Sequence, residues 1–400
     1  MDTSTMPLLK SITLRGFLSF GPDSGAVPLT SLNVIIGPNG AGKSNFVEAL
    51  SVLRAVPRDL PLPIREGGGV RDWIWKGKPE TDRASVEVVF SGGTVTQPEQ
   101  AHPAVRYRLT FGTEGDRFTV LDERIENESP NPGEPKPYFY FGYEHGRPMF
   151  NVKGQGRRFL KREDIDPTQS ILSQRRDPDT YPEVTRVGDL LRKVVIYRSW
   201  SFGPYSTLRI SCAPDVFTGH LAEDFSNLPA RLAVLKRTPK VKKRIIGLLQ
   251  EFSEGFNDIE VVPEGGQLQL YLEEGDRMVP ARRLSDGTLR YLSLLAILVD
   301  PAPPPLVVIE EPELGLHPDI VPTIRDLLVE ASARCQLVVS THSTQLVDAM
   351  TEHAGSVLVC EKHKGSTCLT RLSQKEIDRW REHGSLGNLW MSGHLGGTRW

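Results

Sequence analysis

The stretch that most constrains the fold of this chain is residues 37–44, which read GPNGAGKS. It follows an apolar run at residues 32–36 and precedes a segment with helical spacing of apolar side chains. Glycines in such a loop let backbone N–H groups close around phosphate oxygens, and the start of the next helix adds positive charge. Lys43 would reach the β- and γ-phosphates, and Ser44 would ligate Mg²⁺. The sequence therefore predicts an α/β fold that binds a nucleotide.

The composition narrows the class of protein. The 400 residues predict two or three lobes, and 38% hydrophobic with 24% charged residues is typical of a soluble globular chain. A net charge of −2 excludes a globally basic nucleic-acid binder, although a local basic patch stays open. No apolar stretch approaches the roughly 18–20 residues that cross a bilayer, and the first seven residues lack a signal-peptide pattern. Because the four cysteines form no C-x-x-C pair, we expect a reducing, cytoplasmic setting.

The apolar pattern divides the chain into three parts. Residues 1–155 carry two strands (9–20 and 29–36), the loop with its helix, and alternating runs between 84 and 150 that predict antiparallel strands. Residues 156–257 are helical and charge-rich, and residues 258–400 return to strands that alternate with helices. This alternation after a phosphate loop predicts a mostly parallel, doubly wound sheet.

Paired carboxylates follow the most apolar strand. Residues 306–309 are uninterrupted hydrophobes, and Glu310 and Glu311 come directly after them. Ligands bind at the carboxyl ends of strands in open α/β sheets, so a carboxylate there can hold Mg²⁺ and a second can activate water. We expect Glu310 to bind Mg²⁺ and Glu311 to act as the general base.

Two further motifs are weaker when each is taken alone. His342 follows the next apolar strand, in Ser340-Thr341-His342-Ser343, where an imidazole can donate a hydrogen bond to the γ-phosphate. Such a histidine is more often structural, but its place one strand beyond the glutamates favours a role with nucleotide. The sequence LSDGT at 284–288 opens an apolar helix, so the Ser285 hydroxyl and nearby N–H groups offer a second anion cradle.

The order of these motifs resembles the head of an ABC-type ATPase. GPNGAGKS, LSDGT, EEPELGLHP and STHS occur in that sequence, together with LRGF at 14–17 and GHLGG at 393–397. The similarity is greatest to the RecF/SMC/OLD-like branch of predicted bacterial AAA-type ATPases, and it covers residues 9 to about 360. It implies a mixed, largely parallel sheet, an antiparallel β-subdomain and a helical inserted lobe.

The resemblance also implies roles for single residues. Lys43 and Ser44 match the Walker A lysine and Mg²⁺ serine, Glu311 the catalytic glutamate, and His342 the switch histidine. Glu310 fills the Walker B Mg²⁺ position, where transporters have aspartate. The nucleotide would contact the whole loop, namely Gly37, Pro38, Asn39, Gly40, Ala41, Gly42, Lys43, Ser44 and Asn45.

Other roles that the resemblance implies involve a second subunit. Ser285, Asp286 and Gly287 match the signature motif, which contacts the γ-phosphate bound by the partner, and residues 314–318 fill the D-loop position. Asp286 differs from the LSGGQ form of transporters, which favours the RecF-like branch. Either Gln169 or Gln174 would serve as the Q-loop glutamine. The family thus implies an ATPase that forms a homodimer around ATP and Mg²⁺.

The sequence leaves the use of this ATPase open. DNA clamping in repair or anti-phage defence is supported by two basic clusters, one of which lies in a stretch at 225–250 with no acidic residue. Alternatively, the chain is an ATP-gated switch that holds or activates a separate nuclease or toxin. An amphipathic face at 245–256 could dock such a protein, although a face of this kind more often packs in the core. A nuclease activity is disfavoured because no D-x-D pair follows His342. The clusters comprise Arg231, Lys236, Arg237, Lys240, Lys242, Lys243 and Arg244, and Arg157, Arg158, Lys161 and Arg162.

Overall fold

The computed structural model describes residues 7–92, 102–115, 117–144, 146–152, 156–373, 375 and 384–396. The first six residues and Gly397, which the sequence analysis mentions, lie outside these ranges. The chain forms two compact units. The P-loop unit comprises Met6–Val194, His353–Gly384 and Leu389–Trp400, and the carboxylate unit comprises Met1–Thr5, Val195–Glu352 and Ser385–Asn388.

The P-loop unit is built from two groups of strands. An eight-stranded antiparallel sheet has the order β2-β1-β4-β5-β6-β7-β8-β9, and a second group has the order β3-β16-β17. In the second group β3 pairs with β16 in parallel and β17 returns antiparallel. The strands are β1 Leu9–Arg15, β2 Ala26–Pro28, β3 Leu32–Ile36, β4 Arg83–Phe90, β5 Val105–Glu114, β6 Arg117–Asn127, β7 Phe139–Glu144, β8 Arg147–Val152, β9 Gly156–Phe159, β16 Val357–His363 and β17 Ser366–Arg371. Its helices are α1 Lys43–Ala55, α2 Pro61–Glu66, α3 Val70–Trp73, α4 Ile171–Gln174 and α5 Pro182–Arg192.

The carboxylate unit combines a covered sheet with a separate antiparallel one. Strands β10, β14 and β15 are neighbours in that order, with β14 parallel to β15, and β11-β12-β13 form an antiparallel meander. The strands are β10 Val194–Tyr197, β11 Phe256–Glu264, β12 Gln267–Glu274, β13 Arg277–Pro280, β14 Leu306–Glu310 and β15 Gln336–Ser340. The helices are α6 Leu228–Lys236, α7 Pro239–Phe252, α8 Asp286–Leu298, α9 Val321–Ser332 and α10 Thr344–Ala349. Helix α11 Leu386–Met391 begins in this unit and ends in the P-loop unit.

Burial explains why the central strands read as unbroken apolar runs. All five residues of β3 and of β15 are buried, as are the first four of β14, because side chains on both faces of these strands are covered. Helix α8 is buried from Thr288 to Leu298, which explains its apolar composition. The expected mixed α/β fold is therefore confirmed, with parallel pairs beside an antiparallel β-subdomain.

Some boundaries differ from those expected. The first strand ends at Arg15 rather than at residue 20, because Gly16 adopts a φ of +62° and turns the chain. Helix α7 ends at Phe252, so Phe256 is the first residue of β11 and not part of the helical face. The division at 155 and 257 stays a prediction; the two compact units meet in sequence between Val194 and Val195.

Candidate active site

The phosphate loop in the P-loop unit has the form that the sequence predicts. It joins β3 to α1, which begins at Lys43, and the exposed Asn39 and Gly40 form its tip. Gly37 is required at its position, because an added Cβ would lie 2.2 Å from the carbonyl oxygen of Cys360 on β16. The Nζ of Lys43 lies 2.6 Å from the carbonyl oxygen of Gly37 and 3.0 Å from that of Pro38. The ammonium therefore lies inside the loop where phosphate oxygens would bind.

A buried polar network holds the base of this loop. The hydroxyl of Thr367 on β17 donates to the carbonyl of Ala41 at 2.6 Å and lies 2.7 Å from the hydroxyl of Ser19. The side-chain amide of Asn45 donates to the same Ser19 hydroxyl at 2.7 Å. Asn45 therefore stabilises the base of the loop through its hydrogen bond to Ser19, a role that its place in the motif does not reveal.

The available oxygen donors fit Mg²⁺. Ser44 is exposed in the first turn of α1, and Glu310 ends β14 in the carboxylate unit. No group of three His, Cys, Asp or Glu side chains that could hold a metal occurs among the described residues. Ser44 and Glu310 each offer one oxygen ligand, and Mg²⁺ in phosphoryl-transfer enzymes keeps several waters and takes further ligands from the nucleotide.

Glu310 has two neighbours that the sequence did not single out. Its Oε2 lies 3.4 Å from the guanidinium Nε of Arg198, and its backbone carbonyl accepts a hydrogen bond from the indole of Trp200 at 2.8 Å. Both residues follow β10, which neighbours β14. No motif marks them, so only the sheet order reveals that they belong to this site.

Glu311 and His342 come together at the carboxyl ends of β14 and β15. The Nε2 of His342 lies 3.7 Å from Oε1 of Glu311, and both side chains are about one-third exposed. The register places Glu310 opposite Ser340, so the residues that follow each strand are also neighbours. Glu311 has a φ of +48°, a conformation that costs free energy in a residue with a side chain. Its backbone N–H donates to the carbonyl of Ser340 at 2.8 Å.

The carboxylate of Glu313 is hydrogen-bonded to the residue next to His342. The hydroxyl of Thr341, beside His342, donates a short hydrogen bond to Oε1 of Glu313. Burial raises the pKa of Glu313 above its ordinary value. This contact links the turn after β14 to the turn after β15.

The signature segment caps α8 as its sequence predicts. The Ser285 hydroxyl accepts a hydrogen bond from the backbone N–H of Thr288 at 3.0 Å. Asp286 does not face the helix; its carboxylate pairs with Arg209 at 2.5 Å and accepts from the N–H of Gly203. The hydrogen bond from Arg209 lowers the pKa of Asp286 below its ordinary value.

Close packing explains the glycine in this segment. An added Cβ at Gly287 would lie 3.1 Å from the carbonyl oxygen of Gly315, in the segment expected to be the D-loop. The signature and D-loop segments of one subunit are therefore in contact.

Both Q-loop candidates have local partners in the P-loop unit. The Gln169 amide donates to Asp59 at 3.0 Å and accepts from the N–H of Leu60 at 3.2 Å. Gln174 accepts from the N–H of Asp166 at 2.8 Å and donates to the same residue's carbonyl at 3.1 Å. Neither pattern selects one of them for contact with a nucleotide, so the Q-loop assignment stays a prediction.

The acid-free basic stretch is largely neutralised by acids from elsewhere in the fold. Arg231 is buried against Asp300, which lies 2.5 Å away. Lys236 and Lys242 both contact Asp258, at 2.8 and 3.1 Å. Lys236 also contacts Glu260 at 3.1 Å, and Arg244 contacts Glu330 at 2.9 Å. The exposed cations of the stretch are Arg237, Lys240 and Lys243.

The amphipathic face expected at 245–256 lies in the core. Ile245 and Leu248 are fully buried, and the ring of Phe252 stacks on that of Tyr291 with centroids 4.5 Å apart. This face therefore packs against α8 and is not available as a docking surface.

These features define the head of an ABC-type P-loop ATPase. They are a phosphate loop between a strand and a helix, a capped signature helix, a pair of carboxylates at a strand end and a histidine that faces them. The family described as "AAA domain, putative AbiEii toxin, Type IV TA system" matches residues 32–348. The chain belongs to this family and is an ATPase of the RecF/SMC/OLD branch.

Curated relatives match over parts of the chain. The chromosome partition protein Smc of Desulfitobacterium hafniense is 27% identical over 204 residues, which is 48% of this chain and 17% of that protein. The Old nuclease of Escherichia phage P2 is 36% identical over 72 residues, which is 18% of this chain and 12% of the nuclease. The chain thus corresponds to less than a fifth of the length of either protein.

Solved structures support the fold. A structure of the Smc head bound to the C-winged helix domain of ScpA matches with a TM-score of 0.53 and 18% identity, covering 92% of this chain and 99% of the other. An Smc head from Pyrococcus furiosus, bound to the C-terminal domain of ScpA, has a TM-score of 0.52 and 17% identity over 94% and 99% of the two chains. Among the described residues, no helix has the length and apolar character that a bilayer crossing requires.

Proposed function

We propose that the protein hydrolyses ATP in a homodimer, in which each nucleotide is held by the phosphate loop of one subunit and the signature helix of the other. Lys43 and the loop N–H groups bind the phosphates, and Ser44 and Glu310 hold Mg²⁺. Glu311 accepts a proton from the attacking water, and His342 donates to the γ-phosphate. Mg²⁺ itself would neutralise charge on the phosphate oxygens.

The observation that carries this proposal is the pairing of Glu311 with His342 at the ends of two parallel strands. Their separation of 3.7 Å exceeds a hydrogen bond, and both side chains are partly exposed, so a water molecule or a phosphate oxygen can approach them. The positive φ of Glu311 supports the same conclusion, because strained backbone persists where function requires it.

Exposed apolar side chains support the dimer. Leu314 is 47% exposed and Phe202 is 44% exposed, and the Phe202 ring lies 3.6 Å from the Cβ position of Gly315. Two large apolar side chains are thus exposed beside the signature and D-loop segments, as expected of a surface that a second subunit covers. ATP would bridge the subunits, and loss of the γ-phosphate would weaken the dimer because ATP and ADP bind the closed state differently.

We propose that the ATP-dependent closing and opening of the dimer serves to clamp DNA in repair or anti-phage defence. Three exposed cations on and before α7 (Arg237, Lys240 and Lys243) and the exposed Lys161 support binding to a phosphate backbone. The relatives named Smc and Old nuclease fit that setting. Because the other four cations of the stretch have acidic partners, we expect this affinity to be weak and sensitive to salt.

A protein partner is the alternative use. The two Smc heads with the same fold are bound to domains of ScpA, which supports a head of this type as a platform for a second protein. The buried face of α7 does not offer such a surface. Co-purification of a stoichiometric second protein with the chain expressed in its native cells would favour this alternative.

ATP turnover with and without duplex DNA tests the proposal. We expect Mg²⁺-dependent turnover by the wild type and a loss of about 10²-fold or more in Glu311→Gln, because the amide cannot accept the proton. Glu254→Gln, at an exposed glutamate of the same unit, should retain full activity. Wild-type rates in Glu311→Gln would refute the assignment of the base, and rates unaffected by DNA would favour the protein partner.

A further inference from the structure

Arg290 is a charged side chain buried completely in the carboxylate unit. It is the largest fully buried side chain among the described residues, and it lies in the second turn of α8. No carboxylate oxygen lies within 4.0 Å of it among the described residues. An arginine in this position costs free energy unless other groups replace its hydration. Burial accordingly lowers its pKa to about 10, so the side chain stays charged near neutral pH.

The groups that replace its hydration are backbone carbonyls of the turn after β14. The guanidinium donates a short hydrogen bond to the carbonyl of Glu311 and another, at 3.3 Å, to the carbonyl of Pro312. The indole of Trp200 donates to the carbonyl of Glu310. Three consecutive carbonyls, at residues 310–312, thus each accept a hydrogen bond from a side chain.

The two donors also contact each other. The guanidinium carbon of Arg290 lies 3.9 Å from the ring centroid of Trp200 and 5.4 Å from that of Phe202. Such cation–π contacts stabilise a buried cation and restrict its position. The Nη1 of Arg290 has no hydrogen-bond partner among the described residues. The hydrogen bonds and the cation–π contact hold the guanidinium against the turn after β14.

We propose that Arg290 is a positioning residue that fixes the strained backbone of Glu311 and so sets the carboxylate against His342. A left-handed conformation at a glutamate persists only where neighbouring groups hold it, and Arg290 binds the carbonyl of that residue. Because Arg290 belongs to α8, which Ser285 caps, the same side chain joins the signature helix to the general base. A shift of α8 on engagement of the partner's nucleotide would therefore be transmitted to Glu311.

This inference rests on the proposed role of Glu311 and makes a separate prediction. Arg290→Met removes both hydrogen bonds to the turn, and Arg290→Lys retains the charge but not the planar pair of donors. We expect kcat to fall about 10-fold to 100-fold in Arg290→Met, with an intermediate loss in Arg290→Lys, while KM for ATP changes less than about twofold. General destabilisation would also lower the apparent kcat, through the fraction of folded protein, so the melting temperature of each variant is needed to separate the two effects.

Arg334→Met is the matched control. Arg334 donates to the carbonyls of Leu298, the last residue of the same helix, and of Asp300, so its loss removes similar bonds far from Glu311. Trp200→Phe provides a second test, because it keeps a ring against Arg290 and removes only the donor to Glu310. We expect Arg334→Met to keep the wild-type kcat and Trp200→Phe to lower it.

The outcomes separate the two proposals. Turnover is measured for the full chain at saturating ATP and Mg²⁺, with the melting temperature of each variant recorded. A low kcat in Arg290→Met and Trp200→Phe, with Arg334→Met unaffected, supports the inference. If Glu311→Gln is inactive while the Arg290 variants and Trp200→Phe keep wild-type kcat, positioning by Arg290 is wrong and the role of Glu311 stands. If Glu311→Gln retains turnover, the proposed function itself fails.

Discussion

The guanidinium of Arg209 lies 2.5 Å from the carboxylate of Asp286, the first residue of the signature helix α8. Arg209 also donates to the carbonyls of Leu284 and Gly203, and Asp286 accepts from the N–H of Gly203. The segment at 203–209 is thereby tied to the start of α8. This contact explains why the chain has aspartate where the LSGGQ form has glycine: the carboxylate anchors a neighbouring loop, while Ser285 caps the helix.

Loss of this anchor should weaken the ATP-dependent dimer. Arg209→Met removes the ion pair with Asp286 and four hydrogen bonds to backbone carbonyls, so the signature turn loses the order that binding of a partner's nucleotide requires. We expect the dimer dissociation constant with ATP to rise about 10-fold, equivalent to about 1.4 kcal/mol. Sedimentation equilibrium with ATP measures it, and Arg282→Met, at an exposed neighbouring arginine, is the control. Equal constants for wild type and Arg209→Met would contradict the role assigned to the anchor.

Lys43 should be required for binding rather than for folding. Its ammonium contacts the carbonyls of Gly37 and Pro38 in its own loop, and the loop is also held by the hydrogen bonds of Thr367 and Ser19. We expect Lys43→Met to lower ATP affinity about 100-fold or more while its melting temperature without nucleotide stays close to that of the wild type. Isothermal titration with ATP and Mg²⁺ measures the affinity. Lys76→Met, at an exposed lysine paired with Asp72, should bind ATP normally.

A buried glutamate in the β-subdomain should make stability depend on pH. Glu123 accepts hydrogen bonds from Tyr107 at 2.8 Å, from Ser170 at 2.5 Å and from the N–H of Ile171 at 2.9 Å. Burial raises its pKa from 4.5 to about 7. The folded state therefore binds a proton that the unfolded state releases above pH 4.5, so the stability that Glu123 contributes is complete below that pH and is lost as the pH rises through 7.

Glu123→Gln isolates this effect because the amide does not titrate. Relative to the variant, the wild type should lose a few degrees of melting temperature between pH 5 and pH 8, which corresponds to a loss of about 2–3 kcal/mol in a chain of this size. Thermal unfolding of both proteins at the two pH values provides the comparison. Parallel melting curves across the pH range would show that Glu123 ionises at its ordinary pKa.

The exposed cations of α7 should account for any DNA affinity of this surface. Lys240→Glu combined with Lys243→Glu leaves the ion pairs of Lys236 and Lys242 intact. We expect weaker retention of duplex DNA and a slope of log K against log salt that is smaller by about two, because two phosphate contacts are lost. The control is Lys362→Glu with Lys364→Glu, which makes the same charge change at exposed positions of the P-loop unit. Equal losses in both double variants would mean that only net charge matters.

The sequence predicted the parts of the site whose chemistry lies within one short motif. The loop at 37–44, the cap at Ser285 and the pairing of Glu311 with His342 follow from local patterns and from the rule that parallel strands end at one edge. The fold class followed from the same alternation of strands and helices. Burial on both faces of β14 and β15 made these strands easy to recognise.

The parts that sequence reasoning missed are contacts between distant segments. Arg198 and Trp200 reach Glu310 only because β10 lies next to β14, although 110 positions separate Trp200 from Glu310. The basic stretch was compatible with a phosphate-binding surface as well as with a solvated helix face, because its acidic partners, Asp258 and Asp300 among them, lie outside it in the sequence. The sequence did not distinguish Arg290 from the other residues of its helix, because no local pattern marks a buried arginine.

Bridging of two subunits by ATP is tested most directly by the molar mass of Glu311→Gln in solution. Light scattering is recorded during gel filtration with ATP and Mg²⁺, with ADP and Mg²⁺, and without nucleotide; Glu311→Gln combined with Lys43→Met is the control. For Glu311→Gln with ATP and Mg²⁺ we predict twice the mass of the 44.5 kDa chain. We predict the mass of a single chain for Glu311→Gln with ADP and Mg²⁺ or without nucleotide, and for the double variant under every condition. A single chain in Glu311→Gln with ATP, at concentrations that saturate the loop, would contradict the account.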